Sequence, residues 1–301
     1  MIEKKVSIVL PVYNGERFLS QAIESVINQQ YTNWELIIVN DCSTDSSLKM
    51  MEEYAARDSR IRVLNNARNM KLPNSLNIGF REATGDYFTW TSDDNIMKPE
   101  MLKTLVEELD KDEEYGLVYS DHDDIDEEGN ITCTRVLLEP KDMGVCGNVC
   151  GASFLYRRTV AELVGEYDPD LFLAEDYDFW MRLYSKAKIR HLPDVLYSCR
   201  RHARSLSSTR KEQIKAQTLR AVMKNHWELL KKCETSKDIM NLFDLEYRLG
   251  SEQDIVKMLD MAKTMNAWRY RTIIRRTIGK CKQIIKRLIG WDKREETKVS
   301  N

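Results

Sequence analysis

Val6-Ser7-Ile8-Val9-Leu10-Pro11-Val12 is a near-continuous apolar run, the mark of a strand buried on both faces of a parallel sheet. Working outward, Phe18, Leu19, Ala22, Ile23, Val26 and Ile27 recur at helical spacing within 15–29. Trp34 to Val39 is a second buried strand, followed by a helix over 46–56 and a short strand over 61–64. A helix over 74–82, a strand over 87–91, a helix over 99–110 and a strand over 116–120 continue the alternation. Strands alternating with helices across short loops predict a doubly wound, mostly parallel α/β sheet.

Three of these strands deliver a carboxylate at their C-terminal ends: Asp41, the pair Asp93 and Asp94, and Asp121. Ligands of open α/β sheets bind in the crevice outside those ends. Adjacent carboxylates repel one another, so Asp93-Asp94 in a cleft suits a hard cation with oxygen ligands, Mn2+ or Mg2+, shared with a diphosphate. The same residues also serve as a turn and helix cap before Pro99. Asp41 can accept from the imide N–H of a base or cap the following helix, and Asp45 reads as a cap. Glu175-Asp176-Tyr177-Asp178 opens an aromatic-rich helix, where a carboxylate acts either as a general base or as a favourable charge at a helix N-terminus. Arg200-Arg201-His202 follows the apolar run 196–199. Such a group can stabilise a leaving diphosphate, His202 can complete a metal shell, and a solvated basic turn is the plain alternative.

In order, Val6 to Asn14, Asn40 to Asp45, Ser92-Asp93-Asp94, Glu175 to Arg182 and Tyr197 to His202 resemble the family 2 glycosyltransferases, over about two thirds of the chain. The resemblance implies a GT-A fold and an inverting transfer of sugar from a nucleoside-diphosphate sugar, UDP by preference, to a hydroxyl of a glycan or lipid-linked acceptor. It implies that Pro11, Val12, Tyr13 and Asp41 line the nucleotide pocket and that Asp93 serves the sugar and ribose. It makes Asp94 the metal ligand and Asp176 the general base, and closes Arg201 and His202 over the phosphates. The alternative is a scaffold that kept this fold without catalysis. Two departures concern glycine: Cys42 and Lys71 stand where the family usually has Gly. A third is Thr91, where the family often has another Asp.

The 301 residues are 42% hydrophobic and 31% charged, with a net charge of −2. From Lys263 onward there are 12 Lys/Arg against 3 Asp/Glu, so an acidic body carries a basic tail. That balance argues against nucleic acid as a partner of the body. Residues 1–208 are expected to form the transferase domain and 209–301 an α-helical extension. The extension ends in a basic amphipathic segment, Trp268 to Trp291, suited to an anionic membrane surface. With no leader or spanning segment in the sequence and seven unpatterned Cys, a reduced cytoplasmic protein, peripheral on the inner membrane face, is expected.

Overall fold

The computed structural model describes residues 3–143 and 148–232. Its first half alternates as the sequence predicts: β1 (Val6–Val12), α1 (Leu19–Ile27), β2 (Trp34–Asn40), α2 (Ser47–Arg57), β3 (Ile61–Asn65), α3 (Leu72–Arg81) and β4 (Tyr87–Trp90). β1 pairs in parallel with β2 and β4, and β2 in parallel with β3. Val6, Ile8, Val9 and Leu10 are wholly buried, as are Leu19, Ala22, Ile23 and Val26 of α1. Each such large side chain contributes about 1.5–3 kcal/mol. A Cβ on Gly79 of α3 would collide with Val9, so this glycine lets the helix lie directly on β1.

The second half is mixed. β5 (Ile96–Met97), α4 (Met101–Asp110), β6 (Tyr115–Ile125) and β7 (Ile131–Arg135) lead to β8 (Phe154–Arg157) and α5 (Arg158–Val164). Then come α6 (Glu175–Lys186), β9 (Lys188–Arg200), α7 (Leu206–Thr209) and α8 (Lys211–Lys232). The strand order is β3-β2-β1-β4-β8-β6-β9-β5, with β7 hairpinned onto β6. β8 runs antiparallel to both β4 and β6, whereas β6 and β9 are parallel.

One expectation is corrected here. Asp121 does not end a strand, because pairing with β7 and β9 carries β6 on to Ile125. Its buried carboxylate accepts from the Leu137 amide at 2.8 Å and meets His191 Nε2 at 2.8 Å. Asp121 therefore belongs to the interior of the sheet and not to the crevice.

The compact unit runs to Lys232, and α8, expected within the extension, packs on α6. Asp178 of α6, wholly buried, accepts from Arg182 Nε and Asn225 Nδ2, both at 2.8 Å, and lies 3.1 Å from Lys224 Nζ. The basic segment from Trp268 to Trp291 lies outside the described residues. No helix among the described residues is long and apolar enough to cross a membrane.

Lys71, before α3, has φ 70° and ψ 161°, a region essentially reserved for glycine. Lys71→Gly should therefore raise the urea midpoint by an amount worth about 1 kcal/mol. An unchanged or lower midpoint would show that the loop carries no such strain.

Candidate active site

The first wall is built by the ends of β1 and β2. Pro11 and Val12 finish β1, and Tyr13 follows with half of its surface exposed. Asn14, at φ 56°, turns the chain, and its side-chain oxygen takes the Thr44 amide at 2.8 Å. Asp41 is buried at the end of β2. Its Oδ1 accepts from the Met70 amide at 2.6 Å and Asn66 Nδ2 at 2.9 Å, and its Oδ2 from the Lys71 amide at 2.9 Å. Asp41 thus holds the strained 70–71 turn across the crevice and keeps lone pairs on Oδ2 for one more donor. Cys42 also stands at positive φ, 64°. Both positions at which the chain lacks the family's glycine are thus left-handed. Asp45 accepts from the Ser47 amide at the start of α2 and from the Glu16 amide, a structural tie between that helix and the loop after β1.

The second wall is the loop after β4. Gly15 lies against the Asp93 carboxylate so closely that any Cβ there would collide with it. Burial, then the charge of Asp94, pushes Asp93 up to about 7. Asp94 Oδ2 lies 3.0 Å from His202 Nε2. His202 Nδ1 accepts the Arg204 amide at 3.3 Å, which places the proton of a neutral ring on Nε2, shared with Asp94. Arg200 is the clamp of this wall. It is 3% exposed, its Nε donates to the Asp94 carbonyl and its Nη1 to the Asp126 and Glu127 carbonyls. Its Nη2 donates to Gln21, and the guanidinium sits 4.5 Å from the Phe18 ring centre.

The third wall is the start of α6. Asp176 accepts from its neighbour's amide, Tyr177 N, at 2.7 Å and from Asn148 Nδ2 at 3.0 Å. Burial raises its pKa above the usual aspartate range. Glu175, 4% exposed, accepts the Leu173 amide at 2.6 Å. Burial, reinforced by the charge of Asp176, pushes Glu175 up to about 8. The second and third walls are linked through Tyr167. Its hydroxyl accepts from Trp90 Nε1 at 3.0 Å, and its ring stacks on Phe179 of α6 with centres 4.2 Å apart.

Asp93, Asp94 and His202 are thus gathered on one wall, with Asp176 on the next. Arg201 is not among them, since its guanidinium is held by Asp124 at 2.6–2.8 Å. The sequence places Arg200 only within a basic group suited to a diphosphate, not as a clamp on the Asp94 loop, and singles out neither Gly15 nor Asn148. Arg200 ends the apolar run of β9, and that position was a usable signal for an inward-facing side chain. Gly15 and Asn148 carry no such signal, because their roles depend on what the fold brings against them.

No group of three or more His, Cys, Asp or Glu capable of holding a metal occurs among the described residues. Two adjacent ligands of an octahedral cation with bonds of about 2.1 Å lie about 3 Å apart. The Asp94–His202 separation has that value, so the pair fits two positions once the ring proton moves from Nε2 to Nδ1, which gives up the bond from the Arg204 amide. Mg2+-type sites use few protein ligands and leave the remainder to phosphate and water.

With the geometry in place, comparison with known proteins is direct. Two solved structures share the architecture. S. aureus TarS in complex with UDP-GlcNAc superposes with a TM-score of 0.64 at 17% identity, covering 94% of this chain and 81% of that one. The mannosyltransferase PcManGT from Pyrobaculum calidifontis, in complex with GDP-Man and Mn2+, gives 0.60 at 15% identity, covering 90% and 83%. The fold is that of the GT-A glycosyltransferases. A Bacillus subtilis protein named as the glycosyltransferase EpsE is 32% identical over 203 residues, 65% of this chain and 73% of that protein. Residues 7–165 match the family described as Glycosyl transferase family 2. The chain belongs to that family and is a glycosyltransferase.

The raised Glu175 generates a pH test. An acid raised on folding contributes stability that is complete below its unfolded value, about 4.3, and is lost as pH rises through about 8. Glu175→Gln should therefore gain on the wild type in unfolding free energy from pH 5 to 8, then level off. A difference that does not change with pH would show that Glu175 ionises normally.

Proposed function

We propose that this glycosyltransferase inverts the anomeric configuration of a hexose-type sugar. The sugar is carried from a nucleoside-diphosphate donor, UDP by preference, to a hydroxyl of a glycan or lipid-linked acceptor. The observation that carries the reading is Asp176. It is a carboxylate at a helix start, held by N–H donors, with no cation paired to it among the described residues, and made more basic by burial. A carboxylate so placed is suited to taking a proton.

In this reading Asp176 removes the proton of the acceptor hydroxyl as its oxygen bonds to the anomeric carbon. The bond from that carbon to the diphosphate breaks on the opposite side, and its electron pair leaves with the nucleoside diphosphate. One displacement inverts the configuration, so a single base suffices. Asp41, with the 70–71 turn around it, faces the base of the nucleotide, and Pro11 to Tyr13 line that pocket. Asp93 faces the sugar and ribose hydroxyls. Asp94 and His202 would hold Mn2+ or Mg2+, which when bound supplies positive charge to the leaving diphosphate. Arg200 fixes the backbone of Asp94, so the wall is set before the donor arrives.

Purified protein incubated with UDP-, TDP- and GDP-sugars should release nucleoside diphosphate from one of these donors, in the presence of Mn2+ or Mg2+ and not EDTA. Asp176→Asn should lower that rate at least 100-fold, the span a positioned base supplies. Unaltered release by the variant would remove Asp176 from the role.

A further inference from the structure

Asp124, 2% exposed within β6, receives two guanidinium groups. Arg135 of β7 donates from Nε to Oδ2 at 2.7 Å. Arg201 donates from Nε to Oδ1 at 2.8 Å, and its Nη2 lies 2.6 Å from the same oxygen. Burial pushes the Asp124 carboxyl up, but the bonds from Arg201 and Arg135 prevail and hold it below the usual range. One arginine neutralises one carboxylate, so the trio keeps a surplus positive charge. Both arginines stay about half exposed, at 54% and 45%. Among the described residues nothing hydrogen-bonds Nη1 or Nη2 of Arg135, or Nη1 of Arg201.

The pair is tied to residues that adjoin both walls in the chain. Arg201 directly precedes His202, the partner of Asp94. Arg135 stands opposite His122 in the β6–β7 register. His122 is buried, its Nδ1 has no hydrogen-bond partner, and a Cβ on Gly151 would lie 3.3 Å from that atom. Burial lowers the pKa of His122; the charges of Arg201 and Arg135 add to the shift, and Asp124 opposes it. Gly151 follows closely on Asn148, the partner of Asp176.

We propose that Arg135 and Arg201, set in place by Asp124, form a cradle for an oxyanion carried by the acceptor, a phosphate or a carboxylate. This rests on the donor-side reading above, which leaves the diphosphate to Asp94 and His202. Guanidinium forks match the geometry of both oxyanions, and two arginines braced by one buried acid lose little freedom when an anion arrives. A structural ion pair would need only one of them. The acceptor hydroxyl is then presented to Asp176 by a group held a short distance away.

The test uses the full-length protein saturated with UDP and Mn2+, so that the donor pocket is filled. Methyl phosphate, methyl glucuronide and neutral methyl glucoside are titrated into it by calorimetry. At least one anion should bind and the glucoside should not. Arg135→Gln and Arg201→Gln should each weaken binding about tenfold or more, and Arg135→Lys should recover part of it. Binding of the phosphate alone marks a phosphate-bearing acceptor, and binding of the glucuronide alone marks an acidic glycan. Failure of both anions to bind, or equal binding by wild type and Arg135→Gln, would overturn the cradle. Failure of UDP to bind would instead strike the donor-side reading. The anions would then be titrated into unliganded protein under the same criterion.

Discussion

A carboxylate taken out of water must be given a cation, a set of N–H donors or a proton. The second half of this sheet and the crevice beside it bury one acid after another, and how each is satisfied separates scaffold from chemistry. Asp123 is met by Lys98, Asp124 by Arg135 and Arg201, and Asp178 by Arg182 and Lys224. Asp121 sits on His191. These acids spend their charge inside the protein. Among the described residues no cation pairs with Asp93, Glu175 or Asp176, and all three are pushed toward the protonated form. Acids perturbed by burial without a counter-charge are the physical marker of a candidate functional site.

The scaffold exists to hold that imbalance. Asp41 anchors a turn whose backbone is strained at Lys71, and Arg200 spans the Asp94 loop, the β6–β7 turn and α1. A displaced carboxylate would recover water and lose its raised pKa. The acids therefore depend on a wall that cannot relax, which three elements tied by one buried guanidinium provide. The Asp124 cluster adds the complementary feature, positive charge beyond what the interior requires.

The parallel half of the fold was legible in the sequence because strands buried on both faces announce themselves as apolar runs. Val6 to Val12 and Trp34 to Val39 fall where they were expected. The antiparallel half was not. β7 is exposed along its whole length and shows no apolar run, and β6 continues through the polar residues Asp121 to Asp124, whose partners include His191 and Arg201, 70 and 77 residues away. The candidate residues at strand ends, Asp41, Asp93 and Asp94, were proposed from position, and Asp176 from its place at a helix start. Arg201 was read from its neighbours in sequence. Its partner Asp124 lies 77 residues away, and only the fold shows the two together.

The central claim is that Asp94 and His202, on the wall neighbouring Asp176, mark where the donor diphosphate and its cation sit. The direct measurement is anomalous X-ray scattering from crystals of the protein grown with UDP and Mn2+. The account predicts a manganese peak within about 2.3 Å of Asp94 and His202, with the diphosphate completing its shell. A nucleotide bound elsewhere, or bound there with no manganese beside Asp94, would contradict it.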